Sequence, residues 1–422
     1  MRTTEFTEYK RVIALDVLRG LAILGTLLTN ITIFASIDMV PSTDDTVNTV
    51  ISRALSLVTD GKFIGLLTIM FGIGLEIQRQ SAIRKGQSWP GTYPIRAGLL
   101  ILDGVLNYVF IFEFDVLMGY GLTALVIAAV TARSPRAQKI WMWVALVVHV
   151  SAMIAVGVLT QMNREGLKEA GQQAMAEYTH SSYWGDVAYR LDNFFLMRME
   201  IPVILLMGAA LYLVGVHLYR AGIFAPEGAR LRKIVMCLSF GIGLPLDWTL
   251  RLLQVEAAAP LVRYVTSASV SIGLLAAVAA FYVRRDRLGP LGRMLSDVGR
   301  MALTCYLAQN LIASFVFYDY GLGMARVIQG PWSQVYTLAI YALIAAFLVM
   351  ASRLWLSFHA RGPVELVWHR SYDLLASRYL RWKAARSQAL PGGQGSPDDT
   401  HDAAPDTALP QTAESQPASA LQ

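Results

Sequence analysis

The chain has 422 residues, of which 55% are hydrophobic and only 16% are charged. Soluble domains are less apolar and about a quarter charged, so this composition excludes a cytosolic enzyme, a secreted disulfide scaffold and a disordered protein. The net charge of +6 comes from short basic clusters between long apolar blocks. That distribution is typical of a protein in a lipid bilayer and argues against a nucleic-acid partner. Cys237 and Cys305 have no ligand spacing, so no metal site is predicted.

Ten apolar blocks approach the length of about 20 residues that a transmembrane helix needs. They cover residues 12–37, 51–78, 95–112, 115–132, 140–160, 200–219, 234–253, 263–283, 300–318 and 334–357. Arg53, Asp60 and Lys62 interrupt the start of the second block, which favours a shorter membrane part over residues 63–77. The predicted fold class is therefore an all-α polytopic membrane bundle of about ten transmembrane helices.

Lysine and arginine are concentrated in alternate loops. The loops around residues 79–96, 133–139, 220–233 and 284–293 are basic, whereas segment 38–50 has no Lys or Arg. Basic loops usually face the cytoplasm, so with ten spans both termini are predicted to be cytoplasmic.

These features divide the chain into five parts. A short cytoplasmic N-terminus, a five-helix bundle, an outer amphipathic loop, a second five-helix bundle and a cytoplasmic tail are predicted at residues 1–11, 12–160, 161–198, 199–372 and 373–422. The tail lacks Lys and Arg from about residue 387 and is rich in Pro, Gly, Ser and Ala. Such a composition cannot bury a core, so disorder is predicted there.

Charged residues inside predicted spans need an explanation, because burial of a charge in lipid is costly. Asp16, Arg19 and Asn30 form one polar stripe along the first span. One interpretation is that Asp16 and Arg19 pair with other helices and lock the bundle. The other is that they line the cytoplasmic mouth of a cavity.

The third span repeats this pattern with Arg96, Asp103 and Asn107, whose spacings of seven and four place them on one face. Asp103 is the most deeply placed carboxylate. It is expected either to pair with a basic residue such as Arg19 or Arg251, or to have a functional role. Glu113 and Asp115 follow at the tip of the hairpin between the third and fourth spans. Acid–base chemistry is one interpretation of this pair, and a solvated hairpin tip is the commoner one.

Two later spans also carry polar groups. Asp247 and Arg251 form an i,i+4 pair after Pro245, which is expected to distort its helix. Arg300 and Thr304 are predicted to share one face of the ninth span.

Several motifs resemble those of one bacterial membrane family. The opening Arg11 to Gly25 with its Leu-Asp-x-x-Arg-Gly, the Met-Phe-Gly-Ile-Gly at 70–74, the Phe-Asp-Val-Leu at 114–117, the Gly-Arg-Met-Ala-Leu-Thr at 299–304 and the Gly-Pro-Val-Glu-Leu-Val-Trp at 362–368 resemble the YeiB-type inner-membrane proteins (domain of unknown function 418). The likeness covers residues 11–372.

The opening element is also similar to that of transmembrane acyltransferases. This wider similarity implies transfer of an acyl group from cytoplasmic acyl-CoA, used as a co-substrate with no bound cofactor, to an acceptor at the outer side. Two positions depart from the pattern. Asn107 stands where family members often have His, and Cys305 stands where they have Asn. Since Asn cannot act as a general base, Asp103 or Asp115 is the remaining catalytic candidate.

Three functional hypotheses follow, and the sequence leaves it uncertain whether the chain is an enzyme. The first is a membrane acyltransferase whose arginines receive the phosphates of CoA. The second is a transporter or flippase of a small or lipid-linked solute, and the third is a non-catalytic membrane scaffold. The predicted substrate-binding or cavity-lining residues are Asp16, Arg19, Asn30, Arg96, Asn107, Asp247, Arg251, Arg300 and Thr304. The sequence does not fix the oligomeric state or the acceptor.

Overall fold

A computed structural model describes residues 2–36, 46–166, 182–283, 285 and 287–389. Within these ranges all regular structure is helical, which confirms the all-α class. The chain divides into two compact units, Met1–Ser377 and Arg378–Gln422. Of the predicted disordered tail, residues 390–422 lie outside the described ranges. The division into two five-helix bundles remains a prediction.

The described α-helices of at least four residues follow one another along the chain, with short 3₁₀ and π-helical turns between some of them. In chain order they are α1 (Arg2–Ser36), α2 (Thr46–Val58), α3 (Lys62–Arg84), α4 (Tyr93–Phe110), α5 (Leu117–Thr131), α6 (Pro135–Met162), α7 (Tyr183–Asp192), α8 (Phe194–Met197), α9 (Ile201–Arg220), α10 (Ala229–Leu238), α11 (Leu244–Leu252), α12 (Ser267–Val283), α13 (Pro290–Arg300), α14 (Ala302–Phe317), α15 (Met324–Val327), α16 (Ser333–Phe358) and α17 (Pro363–Ala389).

Seven helical stretches of the described chain are long and apolar enough to cross a membrane. They are Ile13–Ala35, Val47–Arg84, Pro135–Met162, Phe194–Arg220, Pro226–Leu252, Glu256–Val283 and Ser333–Phe358. The shorter apolar helices α5 and α14, and the 18-residue α4, occupy the three remaining predicted blocks. The membrane-like helical architecture is therefore supported, whereas the count of ten spans and the orientation of the termini remain predictions.

The second apolar block contains two helices rather than one. α2 ends at Val58 and α3 begins at Lys62. Gly61 between them has a φ of 75°, a left-handed conformation that favours glycine. A Cβ on Gly61 would lie 2.0 Å from the Arg263 carbonyl oxygen, so the turn also needs the absence of a side chain. This break keeps Asp60 and Lys62 at a helix end.

The ninth block also differs from its prediction. α13 ends at Arg300, Met301 interrupts the helix, and α14 starts at Ala302. Arg300 and Thr304 therefore do not share one helix, and the prediction that they share a face of a single span is wrong. Arg300 nevertheless lines the large cavity described below, and Thr304 donates to Glu365, which also lines that cavity.

Glycines bring α1 into backbone contact with α13. A Cβ on Gly20 would lie 1.9 Å from the Leu295 carbonyl oxygen, and one on Gly299 would lie 1.8 Å from that of Asp16. Only glycine allows such an approach. Consequently Arg19 on α1 and Arg300 on α13 lie at the same cavity.

Part of the predicted outer loop packs against the end of α4. The Tyr108 hydroxyl donates to the Arg190 carbonyl oxygen at 2.6 Å, and the Tyr183 hydroxyl donates to that of Phe110 at 3.0 Å. α7 thus lies over the hairpin that follows α4. Residues 167–181 of the loop are outside the described ranges.

Candidate functional site

A cavity of about 540 Å³, hereafter the large cavity, lies between the start of α4, the break before α14 and the start of α17. Its middle is apolar, with Ile23, Leu67 and Met70 among its walls. The charged residues that line it are Arg19, Arg96, Arg300, Arg361 and Glu365. Four arginines against one glutamate give the lining an excess of positive charge, which favours an anionic ligand.

The arginines differ in how they are held. Arg19 forms an ion pair with Asp16, which lies three residues earlier on the same helix, with 3.0 Å between Arg19 Nη1 and Asp16 Oδ1. Arg300 donates to the Ala360 carbonyl oxygen at 3.2 Å. The prediction that Arg19 lines a cavity mouth agrees with its position, but its Asp16 partner lies on its own helix. It therefore does not lock two helices together.

Arg96 is held by aromatic rings. Its guanidinium carbon lies 5.3 Å from the centre of the Trp368 ring and 4.3 Å from that of Tyr372. These cation–π contacts fix the side chain without neutralising it. Among the described residues no carboxylate lies within ion-pair distance of Arg96, so its charge remains available to a ligand.

Glu365 joins the start of α17 to the start of α14. Its carboxylate accepts hydrogen bonds from the Leu303 amide at 2.8 Å, the Thr304 amide at 3.1 Å and the Thr304 hydroxyl at 2.5 Å. A carboxylate is stabilised at a helix N-terminus by the free amides there. The predicted site residue Thr304 therefore acts on the cavity wall through Glu365.

The inner end of the large cavity is formed by Tyr306, with Asp115 behind it. The Tyr306 hydroxyl donates to Asp115 Oδ1 at 3.3 Å. Asn107 Nδ2 donates to the same oxygen at 2.9 Å, and the Met118 amide donates to Oδ2 at 3.1 Å. Asp115 is only 2% exposed. It is a buried carboxylate whose two oxygens both accept hydrogen bonds.

The interpretation of Glu113 and Asp115 as a solvated hairpin tip is wrong, because both are 2% exposed. Glu113 Oε2 lies 3.3 Å from Arg190 Nη2, and the Tyr318 hydroxyl donates to Glu113 Oε1 at 3.0 Å. Arg198 donates to the carbonyl oxygens of Glu113 and Asp115. The outer loop thus covers the tip with arginines that the sequence does not associate with it.

Asp103 has neither of its predicted partners. Arg19 pairs with Asp16, and Arg251 pairs with Asp60 and Asp247. One oxygen of Asp103 is buried without a hydrogen-bond partner within the described ranges. Neither Asp103 nor Asp115 lines the large cavity. Asp115 accepts a hydrogen bond from Tyr306, which does line it, so Asp115 remains the catalytic candidate through that contact.

Asp247 and Arg251 belong to a separate buried network. Their predicted pairing is confirmed at 3.2 Å, and Asp247, which is fully buried, also accepts from Lys62 Nζ at 2.7 Å. Thr266 and Ser267 donate to its other oxygen at 2.8 and 2.9 Å. A π-helical turn at Ser239–Gly243 lies directly before Pro245, where the distortion was expected. The network satisfies the charges of Asp247 and Arg251, and neither of these two residues lines the large cavity, which favours a structural role.

A second, small cavity of about 20 Å³ lies beyond Tyr306. Asn30, the third member of the predicted stripe on α1, lines it. Asn30 also donates to Asn310 Oδ1 at 3.4 Å. The stripe therefore spans both cavities, with Arg19 at the large one and Asn30 about 16 Å further along the helix.

Several site residues carry little signal in the sequence. Glu365 lies inside a quoted motif and Tyr306 lies two residues beyond another, but nothing in those motifs distinguishes a cavity residue from a packing residue. Glu200 and Arg263 are separated by 62 intervening positions in the chain and meet only in the folded bundle. One sequence feature could have identified a cavity residue: Tyr306 carries a polar hydroxyl within an otherwise apolar helix.

Comparisons with known proteins bear on the family. Residues 218–373 match the family model described as a protein of unknown function (DUF418). The chain is 25% identical over 413 residues to the uncharacterized protein YxaH of Bacillus subtilis (strain 168), covering 89% of this chain and 96% of that protein. It is 25% identical over 393 residues to the uncharacterized protein YeiB of Escherichia coli (strain K12), covering 86% and 96%. No solved structure matches. These similarities confirm the YeiB-type family, with its DUF418 region, that the motifs indicated.

Proposed function

We propose that this chain is an inner-membrane acyltransferase that takes an acyl group from acyl-CoA in the large cavity and passes it to a small-molecule or lipid-linked acceptor. The observation that carries the proposal is the layout of one cavity, with four arginines lining it and the buried Tyr306–Asp115 pair at its inner end. Under the predicted orientation the arginine-rich end faces the cytoplasm, where acyl-CoA is made.

The arginines match the phosphates of CoA. Guanidinium groups bind phosphate through paired N–H donors. The one carboxylate of the lining, on Glu365, is already engaged by three donors of α14. Arg96 is oriented by two aromatic rings before any ligand arrives, which lowers the entropic cost of binding.

The apolar middle of the large cavity fits the uncharged arm and acyl chain of the donor. Leu67, Met70 and Leu100 are among its walls. In the proposed reaction the acceptor O–H or N–H attacks the thioester carbonyl, the new C–O or C–N bond forms, and the C–S bond breaks. Tyr306 lines the large cavity and donates to Asp115, so its hydroxyl takes up the acceptor proton as it passes its own proton to Asp115. The CoA thiolate leaves toward the arginines. The opening Leu-Asp-x-x-Arg-Gly element, which resembles that of transmembrane acyltransferases, supports this assignment.

The first test is ligand binding to the purified, detergent-solubilised protein. Acyl-CoA should bind, and Arg96→Ala should weaken binding about tenfold or more, because a charge-assisted bond contributes more than about 1.4 kcal/mol. Arg136→Ala is the matched control, since Arg136 is exposed and does not line the large cavity. Equal binding by the native chain and Arg96→Ala would contradict the donor site.

The second test is turnover. CoA release from acyl-CoA, measured by mass spectrometry with a cell extract as acceptor, should occur in the native chain and fall at least about 100-fold in Asp115→Asn, the scale of a lost general base. A native chain that binds acyl-CoA and releases no CoA would refute acyl transfer.

A transporter of an anionic solute is the second candidate. The observation in its favour is the pair of cavities on either side of one layer of side chains, formed by Leu67, Val116 and Tyr306. Transporters place their substrate between two such compartments. Uptake of an intact anion into vesicles that contain the protein, with no chemical change of that anion, would select this function.

A further inference from the structure

The small cavity has the size and lining of a water site. A single buried water needs roughly 10–15 Å³ of accessible volume and two to four polar partners, and this cavity has about 20 Å³. Its polar lining consists of Thr26, Asn30, Glu200, Arg263 and Tyr306. Apolar cavities of this size stay empty, whereas polar ones bind water.

One lining residue has an unmet donor. Arg263 Nε is buried and has no hydrogen-bond partner in the part of the chain that the structure describes, although its Nη1 pairs with Asp60 at 3.0 Å. A buried N–H without an acceptor is costly. A water oxygen in the small cavity supplies that acceptor.

The small cavity also continues a chain of hydrogen bonds. On one side the Tyr306 hydroxyl reaches Asp115. On the other side Glu200 lines the cavity and accepts from the Tyr264 hydroxyl at 2.5 Å. Tyr306 and Glu200 both line the small cavity. A single water there, hydrogen-bonded to both, would connect Asp115 with Glu200.

We propose that the small cavity binds one water molecule and that this water completes a proton path from Asp115 through the Tyr306 hydroxyl to Glu200. The water site stands on the geometry alone, whereas its use in turnover rests on the proposed acyl transfer. Under the predicted orientation, the path leads from the large cavity toward the outer face of the membrane.

The proton count balances. The acceptor gives its proton to the Tyr306 oxygen, whose own proton moves to Asp115. Asp115 then returns that proton to the Tyr306 oxygen as Tyr306 passes the acceptor proton to the water. The water in turn passes one proton to Glu200. Tyr306 and the water end with the hydrogens they began with, and Glu200 releases its extra proton to solvent before the next turnover. The departing thiolate takes its proton from solvent at the arginine-rich end.

Several other charged or titratable groups act on this path, and its pH response includes them. The charge of Arg198 acts on Asp115, Glu200 and Tyr306. The remaining groups that face the two carboxylates are Asp103, Tyr120, Arg263 and Tyr264.

A high-resolution structure of the native, detergent-solubilised protein tests the water site. We expect density for one water within hydrogen-bond distance of the Tyr306 hydroxyl and of Glu200. An empty cavity would overturn the proposal whether or not the chain transfers acyl groups. If water occupies the small cavity but the chain releases no CoA, the proposed function is refuted and the water site is retained.

Proteoliposomes test the proton path. Acyl-CoA is supplied at the arginine-rich face, the pH is varied only at the other face, and CoA release is followed. The native rate should change with that pH, whereas Tyr306→Phe and Glu200→Gln should be slower by about tenfold or more and insensitive to it. Tyr336→Phe and Glu227→Gln, at exposed positions outside both cavities, should behave as the native chain. A native rate that ignores the pH at the far face would overturn the path.

Discussion

The Tyr306 hydroxyl donates a hydrogen bond to Asp115 Oδ1 across 3.3 Å, and this contact joins α14 to the turn between α4 and α5. Asp115 receives further bonds from Asn107 and Met118. A buried carboxylate with this many donors is held in one orientation. Tyr306 lines both cavities, so the pair lies at the wall that the two cavities share.

Arg19→Ala tests whether Asp16 and Arg19 of the opening motif hold helices together or bind a ligand. The Arg19 side chain is 41% exposed and pairs within its own helix, so its loss should leave the melting temperature of the detergent-solubilised protein within a few degrees of native. Acyl-CoA binding should weaken about tenfold, since one phosphate contact is lost.

The pairing on α1 also predicts the behaviour of the double variant. Asp16→Asn combined with Arg19→Ala should not restore binding, because the ligand site lacks its cation in both variants. A sharp loss of folded protein in Arg19→Ala, rescued by a change at Asp103, would instead support the pairing between helices that the structure does not contain.

Asp247→Ala should be among the most destabilising single changes. It leaves Lys62 and Arg251 without their shared buried carboxylate, and removal of one partner of a buried pair costs about 3–5 kcal/mol. Adding Lys62→Met should recover part of that loss, as measured by thermal unfolding in detergent. Glu256→Ala is the control, because the Arg164–Glu256 pair is about half exposed and should contribute at most about 1 kcal/mol. Equal losses in the two variants would contradict the structural role of the buried network.

The features that follow from local spacing are those that sequence predicts well. The i,i+4 pair of Asp247 and Arg251 is present, because a helix fixes that distance. Helices also occupy all ten predicted blocks, since apolar length selects them. The shared cavity of Arg19 and Arg96 depends on how α1 and α4 pack, and no local pattern determines that.

Two of the failures share a physical origin. Asp103 was expected to pair with Arg19 or Arg251, but Asp16 pairs with Arg19, and Asp60 and Asp247 pair with Arg251. Pairing between helices is decided by packing, which the spacing within one helix does not encode. Burial of Asp115 likewise depends on the outer loop. Arg198 of that loop, 83 residues further along the chain, donates to the Asp115 carbonyl oxygen.

Gly20→Ala should destabilise the contact between α1 and α13. The added Cβ would lie 1.9 Å from the Leu295 carbonyl oxygen, so the helices must separate, at a cost of about 1–3 kcal/mol. Gly98→Ala is the matched control on α4, where a Cβ meets nothing within 4 Å. It should raise stability slightly, because alanine is the better helix former. Thermal unfolding of both variants checks the pair, and a Gly20→Ala protein as stable as Gly98→Ala would contradict the close approach.

Asn107→His tests whether position 107 lacks the base that the family resemblance implies there. Asn107 Nδ2 lies 2.9 Å from Asp115 Oδ1, so a histidine there can donate one ring N–H to the carboxylate and present its other nitrogen as an acceptor of protons. Such an oriented imidazole accelerates proton transfer by about 100-fold or more, and CoA release should rise accordingly.

Two variants separate the chemistry of that imidazole from its size. Asn107→Gln enlarges the same buried position without adding a base and should leave CoA release at or below the native rate. Asn107→His with Asp115→Asn keeps the imidazole but removes the anionic partner that orients it, so most of the gain should disappear. An Asn107→His protein that melts at the native temperature and releases CoA no faster would show that Asp115 already serves as the base without help from position 107.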